Sequence, residues 1–264
     1  MTAVAGPHRA RALVRRPVPR LAEGIVTHIE RQPVDYTAAC KQWEEYVGAL
    51  EGHGFDIVEV PPAPDCPDSV FVEDAVVMFR NVAVLTRPGA ESRRPEVAGV
   101  EPVVESLHCS VNRIRPPGTL DGGDVLKVGD TVYVGRGGRT NAEGVAQLRA
   151  IVGPLGATVV PVPVEKVLHL KSAATALPDG TVIGYPPLVD DRSIFPRFMP
   201  VPEESGAHVL VLDERTVLMA ADCPETAGRI EGLGYRVVRV DVSEFECLEG
   251  CVTCLSVRLR ELGT

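Results

Sequence analysis

The sequence predicts an α/β protein of five small repeated units closed into a ring, propeller-like in plan. Three observations predict it. Apolar hairpins recur along the chain, helix-like stretches between them lead into valine-rich strands, and the two ends carry strand patterns that could pair with each other.

Taken in order, RALVRR at 11–16 reads as a short strand. Tyr36, Cys40, Trp43, Val47 and Leu50 recur at helical spacing, so 35–50 is predicted to be a helix, and GFDIVEV after it a strand. VFVEDAVVMF, a turn at Arg80–Asn81 and VAVLT form the first hairpin. Glu73 and Asp74 fall at the start of its first strand, where alternation points them to opposite faces. DVLKV and TVYVG flank a two-residue Gly129–Asp130 loop, a strong hairpin signal, and TNAEGVAQLRAIVG then reads as a helix before the strand ATVVPVPV. SAATAL–PDG–TVIGY is the third hairpin, its closing element only weakly marked at MPVPEE. HVLVL–DER–TVLMA is the fourth, followed by PETAGRIEGLG and YRVVRVDV. CLSVRL supplies a last strand, the natural partner of RALVRR. From Ile57 the paired β-branched positions begin again at Val103, Val159 and Val237, at gaps of 46, 56 and 78 residues, the last long enough to hold the weak unit. Dividing 264 residues by five leaves about 53 per unit, within the range of repeat architectures. The Pro-rich spots VEVPPAPDCPD, RPPGT and YPPL sit between elements as loops, so residues 1–264 are expected to be one domain.

Composition narrows the function. With 27 Lys+Arg against 36 Asp+Glu the net charge is −9, which suits a cationic small molecule better than nucleic acid or an anionic membrane. No apolar run approaches the ~20 residues of a membrane span. Arg9, Arg11, Arg15, Arg16 and Arg20 crowd the N-terminus without an apolar segment behind them, so a secretory signal is not expected. Seven cysteines, an odd number in a long chain, point to a reducing cytoplasm rather than a disulfide framework.

Three of those cysteines, Cys247, Cys251 and Cys254, bunch near the C-terminus in the C-x3-C-x2-C spacing of a radical-SAM cluster loop. Such a loop normally precedes most of its chain, and Thr253 stands where an aromatic is usual, so a thiol nucleophile is the preferred reading. A nucleophilic thiol needs a base, and the base an orienting carboxylate. Of six histidines (8, 28, 53, 108, 169 and 208), His169 stands out because it directly precedes a hairpin. Carboxylates occur as Glu73–Asp74 in FVEDA and as Asp121 and Asp124 around two glycines in LDGGDV. The plain alternative is local turn capping, strongest for Asp124. Arg93 and Arg139 precede helix-like segments and could bind a carboxylate in a bidentate manner.

SVFVEDAVVMF, LTRPGAESRRPEV, TLDGGDVL, VGRGGRTNAEG, HLKSA and EGCVTCLSVRL, in this order and spacing, resemble the dimethylargininases of the pentein, or guanidino-group-modifying, superfamily. The resemblance spans nearly the whole chain and implies a five-bladed ββαβ propeller with pseudo-fivefold symmetry. It implies Cys254 as nucleophile, His169 as general acid/base and Asp121 as its orienting carboxylate. Asp74 and Glu249 would hold the substrate guanidinium, and Arg93 and Arg139 the α-carboxylate. Asp68, with the main chains of Leu21 and Leu248, would hold the α-amino group. Glu73 would support an arginine, and Leu21 would lie on a lid loop. The implied reaction is hydrolysis of asymmetric dimethylarginine or monomethylarginine to citrulline and the methylated amine through a covalent thiouronium, with no metal and no cofactor. The implied partner is a small cationic amino acid, with a homodimer as the candidate assembly. One departure is Glu249–Gly250, where the family commonly has Asp-Gly, so this carboxylate reaches one methylene further. Three other readings stand beside it: an arginine deiminase or amidinotransferase, an inactive guanidino-amino-acid binding protein, and the cysteine-ligated metal site. The first is disfavoured because the Gly-x-His-Cys ending of deiminases is absent.

Overall fold

Short strands in this chain are made by β-branched runs interrupted by turn residues, and each trio of strands forms its own sheet. In the computed structural model, which describes residues 10–259, there are five three-stranded sheets. His8, Arg9 and the last five positions of the expected 1–264 domain lie outside the described residues.

Strand β1 (Arg11–Val14) leads through helix α1 (Tyr36–Gly52) to β2 (Asp56–Glu59), which runs parallel to it. The second unit is β3 (Val76–Phe79), β4 (Val82–Leu85), α2 (Glu101–Ser106) and β5 (Ser110–Arg113). The third is β6 (Val125–Val128), β7 (Thr131–Arg136), α3 (Ala142–Val152) and β8 (Thr158–Pro163). A single helical turn, α4 (Leu170–Ala173), opens the fourth, followed by β9 (Ala174–Ala176), β10 (Val182–Gly184) and β11 (Phe198–Pro200). The fifth holds β12 (Val209–Val211), β13 (Thr216–Ala220), α5 (Pro224–Gly232) and β14 (Arg236–Val240). After α6 (Ser243–Glu246), β15 (Val257–Leu259) pairs antiparallel with β1, Arg11 facing Leu259 and Leu13 facing Val257. The two ends therefore complete one sheet, as their patterns predicted.

Every sheet has one antiparallel and one parallel pair. The antiparallel pairs of the middle units need only tight turns, and Arg80 (φ 52) and Gly129 (φ 58) take the left-handed conformation that matches strand twist. Parallel pairs need a crossover, which α1, α2, α3 and α5 supply. In the fourth unit only a 3₁₀ turn at Arg192–Ile194 lies on the crossover, which explains the weak signal around MPVPEE. Local capping sets the helix starts: the Asp35 side chain accepts from the amides of Thr37 and Ala38, and Asn141 from that of Gly144, contacts worth about 1 kcal/mol each.

One strand expectation is corrected. Val103 lies in α2, not in a strand, and the closing strand of that unit is Ser110–Arg113. Pro102 favours a helix start, and helical spacing lets Val100 and Val104 both bury against the core. The ring is held by apolar layers shared between neighbouring sheets. Val257 packs with Met78 and Leu85, Val77 with Val125 and Val134, and Leu126 with Ala174 and Val182. Ile183, Leu210, Leu218 and Ala12 share the fourth layer, which joins the fourth, fifth and first sheets. No helix among the described residues is long and apolar enough to cross a membrane.

Candidate active site

The loops that lead into β3, β6 and α4 meet the chain just before β15 in one narrow cleft. Its walls include Asp74, His169 and Cys254, with Asp68, Arg93 and Arg139 beside them and Ile25, Leu248 and Glu249 above.

Asp74 reaches the cleft because FVEDA is not the start of a strand. Val72–Ala75 forms a 3₁₀ turn and β3 begins only at Val76. Neighbouring residues in such a turn diverge by about a third of a circle, not a half. Glu73 accordingly turns to the Lys171 ammonium in a separate cavity toward the hairpin turns, while Asp74 turns to the cleft. Asp74 accepts from Arg93 Nη1 at 2.7 Å and from the Gly123 amide at 2.7 Å, and its Oδ1 lies 3.9 Å from His169 Nδ1. Burial alone would raise its pKa, but the charges of His169 and Arg93 with these hydrogen bonds hold it well below the usual carboxylate range.

His169 stands directly before α4 with its other nitrogen on Asp121, Nε2 to Oδ2 at 3.0 Å. The imidazole is thus clasped between two buried carboxylates. Burial pulls its pKa down, but Asp74, followed by the Asp121 hydrogen bond, raises it to about 9, so the ring is an imidazolium at neutral pH. Asp121 also accepts from the Gly89 amide at 2.8 Å. The two glycines of LDGGD are required by proximity: a Cβ on Gly122 would overlap the Glu73 carbonyl, and one on Gly123 would lie 2.6 Å from His169 Nδ1 and 2.8 Å from Asp74 Oδ1. Asp124 does not cap its own turn as expected. It accepts from the amide of Leu170, 46 positions away, at 2.9 Å, and so fixes the backbone beside His169.

Cys254 opens onto the same cleft, its sulfur 3.4 Å from that of Cys251. The hydrogen bond with Cys251, burial and the nearby carboxylates of Glu73 and Asp74 push its thiol up. Asp74, Asp121 and His169 also lie close enough to share a metal ion. The donor set argues for proton chemistry instead, since both ring nitrogens face carboxylates and Arg93 already neutralises Asp74. Cys247, Cys251 and Cys254 do not gather as a ligand set among the described residues.

No family model matches the chain. The dimethylarginine dimethylaminohydrolase of Streptomyces coelicolor is 70% identical over 252 residues, covering 96% of this chain and 98% of that protein. The protein of the same name from Pseudomonas aeruginosa is 39% identical over 251 residues, covering 93% and 98%. The chain belongs to the dimethylarginine dimethylaminohydrolase family. Among solved structures, a dimethylarginine dimethylaminohydrolase with a histidine-to-glycine change, in adduct with S-methyl-L-thiocitrulline, matches with a TM-score of 0.89 at 37% identity, covering 96% of this chain and all of that one. A cysteine-to-serine form of the Pseudomonas aeruginosa protein complexed with citrulline matches at 0.88 and 38%, covering 95% and 99%. The N-terminal domain of ArgZ, a cyanobacterial arginine dihydrolase, shares the fold at 0.86 and 21% identity, covering 96% and 98%.

Within this dimethylarginine dimethylaminohydrolase cleft, several expected residues sit differently from expectation. Glu249 lines the cleft together with Asp74, His169 and Cys254. Its two oxygens accept the backbone amides of Thr27 and His28 on the lid, a reach helped by its extra methylene and by its left-handed backbone (φ 59). The immediate partner of Glu73 is Lys171 rather than an arginine, with Arg258 a more distant positive charge, and Glu73 lies outside the cleft. Leu21 is fully buried at the root of the lid, where its carbonyl accepts from Gly24, and Ile25 is the lid residue that reaches the cleft. Arg93 commits most of its hydrogens to Asp74, Glu96 and the carbonyls of Asp68 and Phe71, leaving one on Nη1. Arg139 keeps Nη1 without a hydrogen-bond partner, 3.5 Å from Asp121. Asp68 Oδ1 accepts from the Ile25 amide. Glu96, Lys171 and the lid amides were not among the residues the sequence motifs singled out. The i,i+3 spacing of Arg93 and Glu96 was a legible hint for the first.

Proposed function

We propose that the chain hydrolyses Nω-methylated L-arginine to L-citrulline and methylamine or dimethylamine through a covalent adduct on Cys254. The observation that carries this reading is the convergence, in a dimethylarginine dimethylaminohydrolase chain, of a thiol and an imidazolium held between two carboxylates. The substrate guanidinium brings a positive charge next to Asp74 and Cys254. That charge offsets the carboxylates that keep the thiol protonated, so the thiol releases its proton to solvent and the thiolate forms where and when its target is bound. The thiolate attacks the guanidinium carbon, and the His169 imidazolium donates its proton to the departing amine. Neutral His169, held by Asp121, then takes a proton from water as the water attacks the thiouronium carbon, and citrulline leaves with the thiolate restored.

Arg139 Nη1 and the remaining hydrogen of Arg93 would receive the substrate α-carboxylate, and Asp68 Oδ2 with the Leu248 main chain the α-ammonium. Glu249 holds the lid over them. Residues 1–264 act as one catalytic domain. A cytoplasmic setting is read from the odd count of seven cysteines in a chain of this length, which suits a reducing compartment. The test is a panel of arginine, monomethylarginine and asymmetric dimethylarginine scored for citrulline and free amine. Cys254→Ser is expected to lose at least about a thousandfold in turnover with an unchanged fold by circular dichroism, and retained turnover would overturn the assignment. A preference for unmethylated arginine would move the chain to the deiminase reading.

A further inference from the structure

The hydrolytic mechanism uses one thiol, yet a second lies against it. Cys251 and Cys254 occupy one turn, the Cys254 amide donating to the Cys251 carbonyl at 3.0 Å, and their sulfurs are 3.4 Å apart. Both cysteines are buried, and Cys254 lines the cleft. Among the described residues no other pair of cysteine sulfurs is in hydrogen-bond contact.

We propose that Cys251 and Cys254 form a reversible dithiol–disulfide modification site, in which a hydroperoxide entering the cleft is reduced and the enzyme is switched off. The change in geometry is small. A disulfide needs the sulfurs at about 2.05 Å, so they approach by about 1.4 Å from their present 3.4 Å, shared between the two side chains. The reacting state is the pair sharing one proton along the sulfur–sulfur contact. The hydrogen bond between the sulfurs favours thiolate on Cys251 against its burial, and the same bond with burial, followed by the carboxylates of Glu73 and Asp74, favours the proton on Cys254. As Cys254 attacks one peroxide oxygen its proton passes to Cys251. The S–O bond forms, the O–O bond breaks and hydroxide leaves, so Cys254 becomes a sulfenic acid. Cys251 then attacks that sulfur, the S–S bond forms, the S–O bond breaks, and the shared proton departs with the hydroxide as water. In sum the singly protonated pair and hydrogen peroxide give a disulfide, water and hydroxide, with two electrons passing from sulfur to oxygen. A dithiol reductant reverses the oxidation and is itself left as a disulfide.

The consequence for activity rests on Cys254 being the hydrolytic nucleophile, but the chemistry of the pair is read separately, by mass. The full-length protein is treated with hydrogen peroxide and followed by intact mass, peptide mapping and citrulline release, before and after dithiothreitol. Wild type is expected to lose two hydrogens, yield a peptide bridged between Cys251 and Cys254, drop at least about tenfold in activity and recover to within about twofold. Cys251→Ser, normalised to its own starting activity, is expected to gain oxygen atoms on Cys254 and not recover, because nothing captures the sulfenic acid. Cys251→Ala gives the same comparison should the serine variant misfold. A bridge that forms without loss of turnover would leave the pair standing and overturn the nucleophile. Gain of oxygen on wild-type Cys254 with no bridged peptide, or a bridge to another cysteine, would overturn the proposal.

Discussion

The two sides of the cleft are built from opposite materials. The wall that holds His169 is made of buried ions: Asp121 is fully buried, Asp74 and Arg93 nearly so, and each polar atom is met by another charge or by a distant backbone amide. The lid opposite, roughly 22–31, is mostly exposed and is held by single hydrogen bonds from its own amides to Asp68 and Glu249. In the wall, low dielectric magnifies every charge, so a lost partner leaves a buried ion uncompensated. On the lid, water competes for each bond, and each is worth only about 1 kcal/mol. The wall is therefore suited to setting protonation and the lid to governing entry and release.

The sharpest way to break this contrast is in the wall. Asp121→Asn removes one of the two carboxylates that keep His169 charged. Turnover is expected to fall by about 10² to 10⁴, with the basic limb of the pH–rate profile moving to lower pH, both read from citrulline release. Stability carries the same signature. A histidine whose folded pKa is raised from 6.5 to about 9 stabilises the fold fully below the lower value and loses that contribution as pH rises through the upper one. Urea midpoints of the wild type should therefore fall between those limits, and the fall should be smaller in Asp121→Asn. An unchanged pH dependence in the variant would mean that Asp74 alone holds the proton.

Next in size is Gly123→Ala. The added methyl would press on His169 Nδ1 and Asp74 Oδ1 where neither side chain has room to retreat, at an expected cost of about 1–3 kcal/mol in chemical denaturation and a larger loss of turnover. The smallest effect belongs to the lid. Glu249→Ala removes the acceptor of two lid amides, and KM is expected to rise several-fold with kcat within about threefold. If kcat fell instead by a hundredfold, Glu249 would be acting on the guanidinium, and the division between wall and lid would fail.

Much of the ring was legible because its signals are local. The Gly129–Asp130 turn, the valine alternation around it and the complementary ends name the strands without reference to anything distant. The misread places share a cause, which is that several local structures were compatible with the same residues. Val103 could serve a strand or a helix equally well, and packing of Val100 and Val104 chose the helix. FVEDA could have opened a strand, and the close passage of Gly122 past the Glu73 carbonyl accompanies a 3₁₀ turn there instead.

At the site, the sequence by itself determined which groups are available: three thiols bunched near the C-terminus, one histidine before a hairpin, the LDGGD acids and two arginines. Their types and order reflect chemistry that must be encoded residue by residue. Only the tertiary structure decided their partners. Asp74 and Asp121 are 47 positions apart in the chain, and both face one imidazole because neighbouring units bring their loops to the same end of the ring. Glu249 meets the lid amides of Thr27 and His28, 222 and 221 positions away in the chain. Charge state follows the same rule, since burial and the distance to a second charge exist only once the chain has closed.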